Sequence, residues 1–518
     1  MHYRLFVLSS VAIALSCCMP SALFAGKPAA PRSDEKVTKI PAPESILAEA
    51  VHSKDLVSNL YISSQPYIVS IEIRTTLAGY SEEGTTYGTG AILDKDQGYI
   101  LTNQHVAKPD GVIDHYDVTL HDGTVIEARL YYADPWHDFA ILKTDPKNLK
   151  NLPKSMPTKR SAVRLGESIL IIGKNENNHF SSQTGTVASV YETSEVLPGQ
   201  VFRISLNAQG GASGSPIFNS DGVVIGFLYA SNGLTSAFAI PIDYALDALE
   251  ALKNNKKPAR YGTGAIIKFT PLEDLVRYDG FNSVKADEIK QKFPQAFSRV
   301  LTIKTALKGT PAEGILMAGD TLMKVNGKDV GPSLYELDKI INEEGAKGSK
   351  KVVFEVVRHG NPLTVDVGLY DLNTNMLKRM LNFGKAVFYE LDDFIIRRTN
   401  AKRGVFVTNR KPGGGFYDQI PAISRGSGTV SLVSITNIDG TPIETLDDFI
   451  KLLPKLMKKK DFYIHICNYG ADFGYNNEAY FVQNEQIRYI PYRDTDGLPE
   501  LYTFNDEKHV WEMKIIQP

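Results

Sequence analysis

The chain has 518 residues, too many for one hydrophobic core, and should divide into about three or four domains. Its 57 Lys and Arg against 59 Asp and Glu give a formal charge of -2, which offers no electrostatic footprint for nucleic acid or an anionic membrane. A hydrophobic content of 43% with 22% charged residues excludes a largely disordered or membrane-embedded chain.

The N-terminus reads as an export signal: Arg4, an apolar segment over 5–15, then small residues leading to cleavage after Ala25. The apolar run is shorter than the ~20 residues needed to cross a bilayer. Cys17 and Cys18 sit in an imperfect lipoprotein-like box, so a lipid anchor stays open beside a soluble periplasmic or secreted form. Cleavage leaves Cys467 as the one cysteine of the mature chain, read as a small buried hydrophobe after the strand Phe462–Ile466. Residues 26–54, rich in Pro, Lys, Ala and Glu, read as a mobile leader.

From Tyr67 onward, short β-rich runs bounded by Gly, Asp or Pro follow one another without helical periodicity. Examples are 67–73, 90–93, 99–101, 117–120, 139–142, 168–172 and 223–227. That spacing predicts a closed, all-β domain over 55–257. It ends in a helix over 242–252, where Ile242, Ala245, Leu246, Ala248, Leu249 and Leu252 share one face, before the linker 254–258. Beyond it, a strand, an Asn-Gly turn (Asn326-Gly327), a short strand and a helix over 334–341 recur. The second copy has its Asp-Gly turn at Asp439-Gly440 and its helix over 446–453. This duplication predicts two α+β modules, 258–371 and 372–518, the second with a C-terminal extension.

The chemistry centres on residues 209–216, Gln-Gly-Gly-Ala-Ser-Gly-Ser-Pro. Small residues around Ser213 let the chain turn tightly and aim backbone N–H groups at one point, as an oxyanion site requires. A serine hydroxyl also needs a base within reach and a third group to orient that base. His105 follows the apolar strand 99–102, a strand-end position suited to a base; His115 and His121 lie in Asp-rich turns and read as solvated. Asp138 directly precedes the strand 139–142, whereas Asp134 and Asp145 stand beside prolines and read as turn residues. There is no Gly-rich phosphate loop ending in Lys-Ser/Thr and no His/Cys cluster at zinc spacing, so neither a cofactor nor a metal is expected.

Four blocks in order, Thr102–Val106, His137–Leu142, Gly211–Pro216 and Ala237–Pro241, resemble the signature blocks of the HtrA/Deg family of trypsin-like serine proteases. The resemblance implies a mainly β fold: a chymotrypsin-like double β-barrel followed by two PDZ-like domains, which agrees with the duplication. It implies Ser213 as nucleophile, His105 as general base and then acid, and Asp138 as the group fixing the imidazole tautomer, with the N–H groups of Gly211 and Ser213 forming the oxyanion hole. Phe227, Leu228 and Tyr229 would line a shallow apolar pocket favouring small aliphatic side chains. Tyr261, Gly262, Thr263 and Gly264 resemble the loop with which a PDZ domain captures a peptide C-terminus. In the second module, Asn382–Val387 is the candidate for that loop. Ala212 and Ser215 depart from the family's usual Asn and Gly, and the stretch 77–87 is short, which favours a trimer over larger cages. By this resemblance the protein is an exported, ATP-independent endopeptidase acting on unfolded or misfolded proteins. A scaffold with a silent peptidase domain is the alternative.

Overall fold

The strand Tyr99–Thr102 and the strand Phe139–Lys143 are apolar at nearly every position, and both of their faces are covered. Ile100, Ala140 and Leu142 point into one barrel with Val69, Ile71 and Ile73. Their sequence neighbours Leu101, Phe139 and Ile141 point the other way and join Leu170, Ile172, Phe218 and Phe227 of a second barrel. A strand buried on both sides loses the usual in–out alternation, which accounts for the unbroken apolar runs.

In this computed structural model the described residues are 58–518, except 80, 82, 153–154, 175–179, 194–196, 209, 232–234, 375, 394–395, 397–403, 421–428, 473–480 and 493–496. The expected export signal and leader lie outside them.

The strands are β1 (Ile68–Thr75), β2 (Leu77–Ala78), β3 (Gly84–Asp94), β4 (Tyr99–Thr102), β5 (Gly111–Val112), β6 (Tyr116–Thr119), β7 (Val125–Asp134) and β8 (Phe139–Lys143). They continue with β9 (Ser168–Lys174), β10 (Phe180–Thr193), β11 (Gln200–Ile204), β12 (Pro216–Asn219), β13 (Val224–Ser231) and β14 (Ala237–Pro241). Two six-stranded barrels close in the orders β1-β3-β4-β8-β7-β6 and β10-β11-β14-β13-β12-β9. The second barrel has its own interior, in which Ile169 and Ile171 of β9 meet Phe202, Ile217 and Ile225. The helix Ile242–Lys253 buries Ile242, Ala245, Ala248 and Leu252 on the expected face, with Leu246 and Leu249 at its margin.

The first downstream module is a sheet in the order Ala265–Pro271, Arg299–Ala306, Thr321–Val325, Lys351–Arg358, Asn361–Gly368. The helix Leu334–Ala346 packs on it through Leu334, Leu337, Ile340 and Ile341. Asn326 and Gly327 both take positive φ, 48° and 73°, as the predicted two-residue hairpin requires. The helices Leu272–Tyr278 and Ser283–Lys292 were not foreseen from the pattern: the second is mostly polar and buries only Ala286.

The second module repeats the plan around Thr429–Ile438 and Asp461–Asp472, with Asp439 and Gly440 at φ 47° and 82° and the helix Leu446–Leu456 capped by Thr445 and Asp448. Cys467 is buried, as expected. Asn382–Val387, the candidate loop of this module, forms the middle of a hairpin in which Arg379–Phe383 pairs with Ala386–Glu390, turning through Gly384 and Lys385. The other side of Arg379–Phe383 is covered by Glu500–Asn505, and that strand by Val510–Ile515. The C-terminal extension thus completes the sheet. In the first module the strand corresponding to Ala386–Glu390 is Ala265–Pro271, which among the described residues pairs with Arg299–Ala306 and lies at the sheet edge.

Both modules touch the barrels. Arg299 donates to Glu192 Oε2 (3.3 Å), Ser189 Oγ (3.2 Å) and the Tyr191 carbonyl (2.9 Å) at the end of β10. Asn409 Nδ2 donates to the carbonyls of Ala78, Gly79 and Ser81 at 2.7, 3.3 and 3.1 Å. Among the described residues, no helix is long and apolar enough to cross a membrane.

Candidate active site

β4 ends at Thr102, and Asn103 opens the one-turn helix Gln104–Ala107 that carries His105. Asp138 is the last residue of the turn between β7 and β8. Two contacts join them: the His105 backbone N–H donates to Asp138 Oδ1 (2.9 Å), and the imidazole Nδ1 lies 2.7 Å from Asp138 Oδ2. Asn103 Nδ2 donates to the Asp138 carbonyl (2.9 Å), fixing the backbone that presents the carboxylate. Asp138 has φ 46°, a left-handed conformation that Asp tolerates better than most residues, and it is buried, whereas 46% of the His105 side chain is exposed. A proton on Nδ1 held by the carboxylate leaves Nε2 with its lone pair free to act as a base. Partial burial of the ring lowers the His105 pKa, but attraction to the Asp138 carboxylate and the hydrogen bond to it outweigh that, so the pKa is raised above the ordinary 6.5.

Ser213 comes from the turn between β11 and β12, in the other barrel. Thr89 of β3 ties it to the His105 segment: its N–H donates to the Ser213 carbonyl (2.9 Å), its hydroxyl donates to the Gly211 carbonyl (2.9 Å), and its own carbonyl accepts from Thr102 Oγ1 (2.8 Å). The turn is closed from behind by Gly214 N–H to the Leu228 carbonyl, Leu228 N–H to the Ser215 carbonyl, and Ser215 N–H and Oγ to the Ala212 carbonyl. Among the described residues, no acceptor engages the N–H of Gly211 or of Ser213. A hydroxyl, a carboxylate-oriented imidazole and two unengaged N–H groups are the parts that acyl transfer uses.

The other expected positions fall as follows. Leu228 lines a recess of about 20 Å³ with Lys174, Gln183, Ala212 and Ser215, directly behind the nucleophile turn. Phe227 packs its ring against Phe139 between the barrels, and Tyr229 lies against Phe238. Tyr261 and Gly262 pair with Asp371 and Tyr370; the carbonyls of Thr263 and Gly264 accept from Ala312 and Leu307 N–H groups, just before the open strand Ala265–Pro271.

The chain is 27% identical over 441 residues to the pro-apoptotic serine protease NMA111 of Saccharomyces cerevisiae, covering 82% of this chain and 41% of that one. It is 24% identical over 445 residues to the NMA111 protease of Meyerozyma guilliermondii, with 83% and 42% covered. It thus spans about two-fifths of the length of these curated relatives. Among solved structures, the HtrA-type protease AlgW with a tripeptide (23% identity, TM-score 0.44) and a serine endoprotease from Yersinia pestis (23%, TM-score 0.40) each cover 61% of the chain, and 97% and 98% of their own chains. Residues 88–227 match the family model of the trypsin-like peptidase domain, and that stretch contains His105, Asp138 and Ser213. Residues 88–227 thus form a trypsin-like peptidase domain, in a chain similar to serine proteases over most of its length.

Within this peptidase domain Thr89 escaped notice in the sequence. Its signal is faint: a fully buried hydroxyl residue in the run Gly88–Leu93, where a polar side chain must find partners. Gly214 matters as much. It has φ 86°, and a β-carbon there would lie 2.0 Å from the Thr89 carbonyl oxygen and 2.8 Å from Thr102 Oγ1. Gly214→Ala should destabilise the protein by about 2 kcal/mol in urea unfolding, through strain and overpacking against backbone that cannot yield. A loss below about 0.5 kcal/mol would show that this turn is not fixed by its close approach to β3.

Proposed function

We propose that the protein is an exported, ATP-independent and metal-independent serine endopeptidase that degrades unfolded or misfolded proteins, its first downstream module holding substrate or activating C-terminal peptides. The observation that carries the reading is the doubly bonded His105–Asp138 pair stitched through Thr89 to Ser213. In the reaction, His105 takes the Ser213 proton as Oγ attacks the scissile carbonyl, the Gly211 and Ser213 N–H groups receive the developing oxyanion, and His105 returns the proton to the leaving amine. Asp138 keeps the imidazole in the tautomer this requires. Phe227, Leu228 and Tyr229 are bulky, which favours small aliphatic side chains before the cut. The similarity to HtrA-type proteases supports quality control as the role, a trimer as the assembly and the periplasm as the site. Casein digestion by the wild type and by Ser213→Ala tests the reading. Negligible turnover by both proteins would favour a scaffold whose peptidase domain is silent.

The two modules should differ in peptide capture. An added peptide strand needs an unpaired sheet edge, which Ala265–Pro271 offers and the second module has filled with its own Arg379–Phe383. Titration with a C-terminal peptide in a calorimeter should therefore saturate at about one peptide per chain. Saturation at two would mean that Arg379–Phe383 can be displaced or another edge of that sheet used.

A further inference from the structure

The turn that presents Asp138 also carries His137, which the peptidase chemistry does not use. Its imidazole is buried, 6% exposed, between carboxylates from two parts of the chain. Nδ1 lies 3.1 Å from Asp134 Oδ2 at the end of β7, and Nε2 lies 3.5 Å from Asp338 Oδ2 on the helix Leu334–Ala346 of the first downstream module. The ring stacks on Tyr244 with centroids 4.0 Å apart; the Tyr244 hydroxyl donates to Asp338 Oδ2 (2.9 Å) and accepts from Gln200 N–H (3.0 Å). Asp134 also pairs with Arg260 and accepts from the N–H groups of Trp136 and His137, and the Tyr132 hydroxyl lies 3.5 Å from it. The charged and titratable groups facing His137 are therefore Asp134 and Tyr132 from β7, Arg260 from the segment before the module, Asp338 from its helix, and Tyr244 from the helix Ile242–Lys253.

Only an imidazolium can donate from both ring nitrogens at once, and two flanking carboxylates call for that form. Burial lowers the pKa of His137, but attraction to Asp134 and the hydrogen bonds to Asp134 and Asp338 reverse the balance and raise it. Asp338 is thus drawn to the turn by charge as well as by the Tyr244 hydroxyl. The same helix reaches the candidate peptide loop: Asn342 Oδ1 accepts from Tyr261 N–H (2.7 Å), and the Tyr261 ring covers Gly345.

A left-handed non-glycine residue such as Asp138 persists when the surrounding structure holds it from more than one side. Asn103 supplies one hold, on the Asp138 carbonyl. We propose that His137 is a positioning residue for the peptidase: by bridging Asp134 and Asp338 it makes the helix of the first downstream module a brace for the turn that aims Asp138 at His105. This rests on the reading of His105, Asp138 and Ser213 as a catalytic triad.

The test uses the full chain and the rate at which a fluorophosphonate probe labels Ser213, measured across pH. Such labelling needs the triad and no captured peptide. Asp338→Ala should lower the plateau rate at least about tenfold, since small misplacements of catalytic groups are costly. It should also shift the acid limb of the profile to lower pH, because a His105 less firmly held by Asp138 loses the interaction that raises its pKa. Asp338→Asn, which can still hydrogen-bond Tyr244 and His137, should recover much of the rate. Tyr244→Phe, which deletes only the hydroxyl steering Asp338, should show the same changes at smaller size, and it carries the test if Asp338→Ala unfolds. Wild-type rate and acid limb in Asp338→Ala, or in Tyr244→Phe if the former unfolds, would reduce the contact to adhesion between modules and overturn the brace. Failure of the underlying reading looks different: the wild type itself would show no Ser213-dependent labelling.

Discussion

Ser213→Ala should lower kcat for casein cleavage by about 10⁶-fold, the scale on which removing the nucleophile of a serine protease acts. The loss is chemical and not structural. The contacts that hold the turn are made by the Ser213 carbonyl, the Gly211 carbonyl and the backbone around Gly214 and Ser215, none of which involves the Ser213 hydroxyl. Stability should accordingly stay within about 0.5 kcal/mol of the wild type, as for a substitution that disturbs no buried partner. Peptide release measured by chromatography checks the rate, and thermal unfolding checks the fold. Residual turnover above about one part in a thousand would point to hydrolysis by another group and remove Ser213 from the reaction, since binding and oxyanion contacts alone fall well below it.

Asp138→Asn should cost about 10⁴-fold at neutral pH while leaving the fold in place. Asn accepts the left-handed backbone that Asp138 adopts at φ 46°, and its carbonyl oxygen can still receive the His105 backbone N–H. What changes is the proton. An amide N–H now faces Nδ1, so Nδ1 becomes an acceptor, Nε2 carries the hydrogen, and no lone pair remains for the Ser213 proton. The pH profile gives the sign independently. In the wild type the carboxylate raises the His105 pKa, so activity, which needs the neutral ring, should be lost as pH falls through a midpoint above 6.5. In Asp138→Asn that support is gone and the midpoint should move down. Profiles that coincide would mean that the two residues do not work as a pair.

The elements that read clearly from the sequence are those in which local pattern and tertiary context agree. Runs such as Ile100-Leu101 and Phe139–Leu142 are apolar throughout because both faces are buried, and the Asn326-Gly327 and Asp439-Gly440 turns need the positive φ that their residues allow. His105 and Asp138 were visible because each stands where an apolar strand meets polar residues. What stayed hidden depends on distant partners. Asp134, read as a turn residue beside Pro135, does accept the N–H groups of that turn, yet its carboxylate is also claimed by Arg260, 126 positions away. Asn382–Val387 was read as a loop, but the strands it joins pair outward with residues 500–503 and 405–408, which no local pattern announces.

The closure of the second sheet also bears on how the chain coexists with copies of itself. An unpaired strand is a template for any extended segment nearby. Arg379–Phe383 carries Met380, Leu381 and Phe383, all buried, and is shielded because Glu500–Asn505 and Val510–Ile515 fold onto its flank. The strand then left outermost exposes Glu512 and Lys514 beside Met513 and Ile515, and Lys508 pairs with Glu512 at 2.9 Å. The last two strands therefore move the edge of the sheet away from these buried side chains to a strand that carries charge.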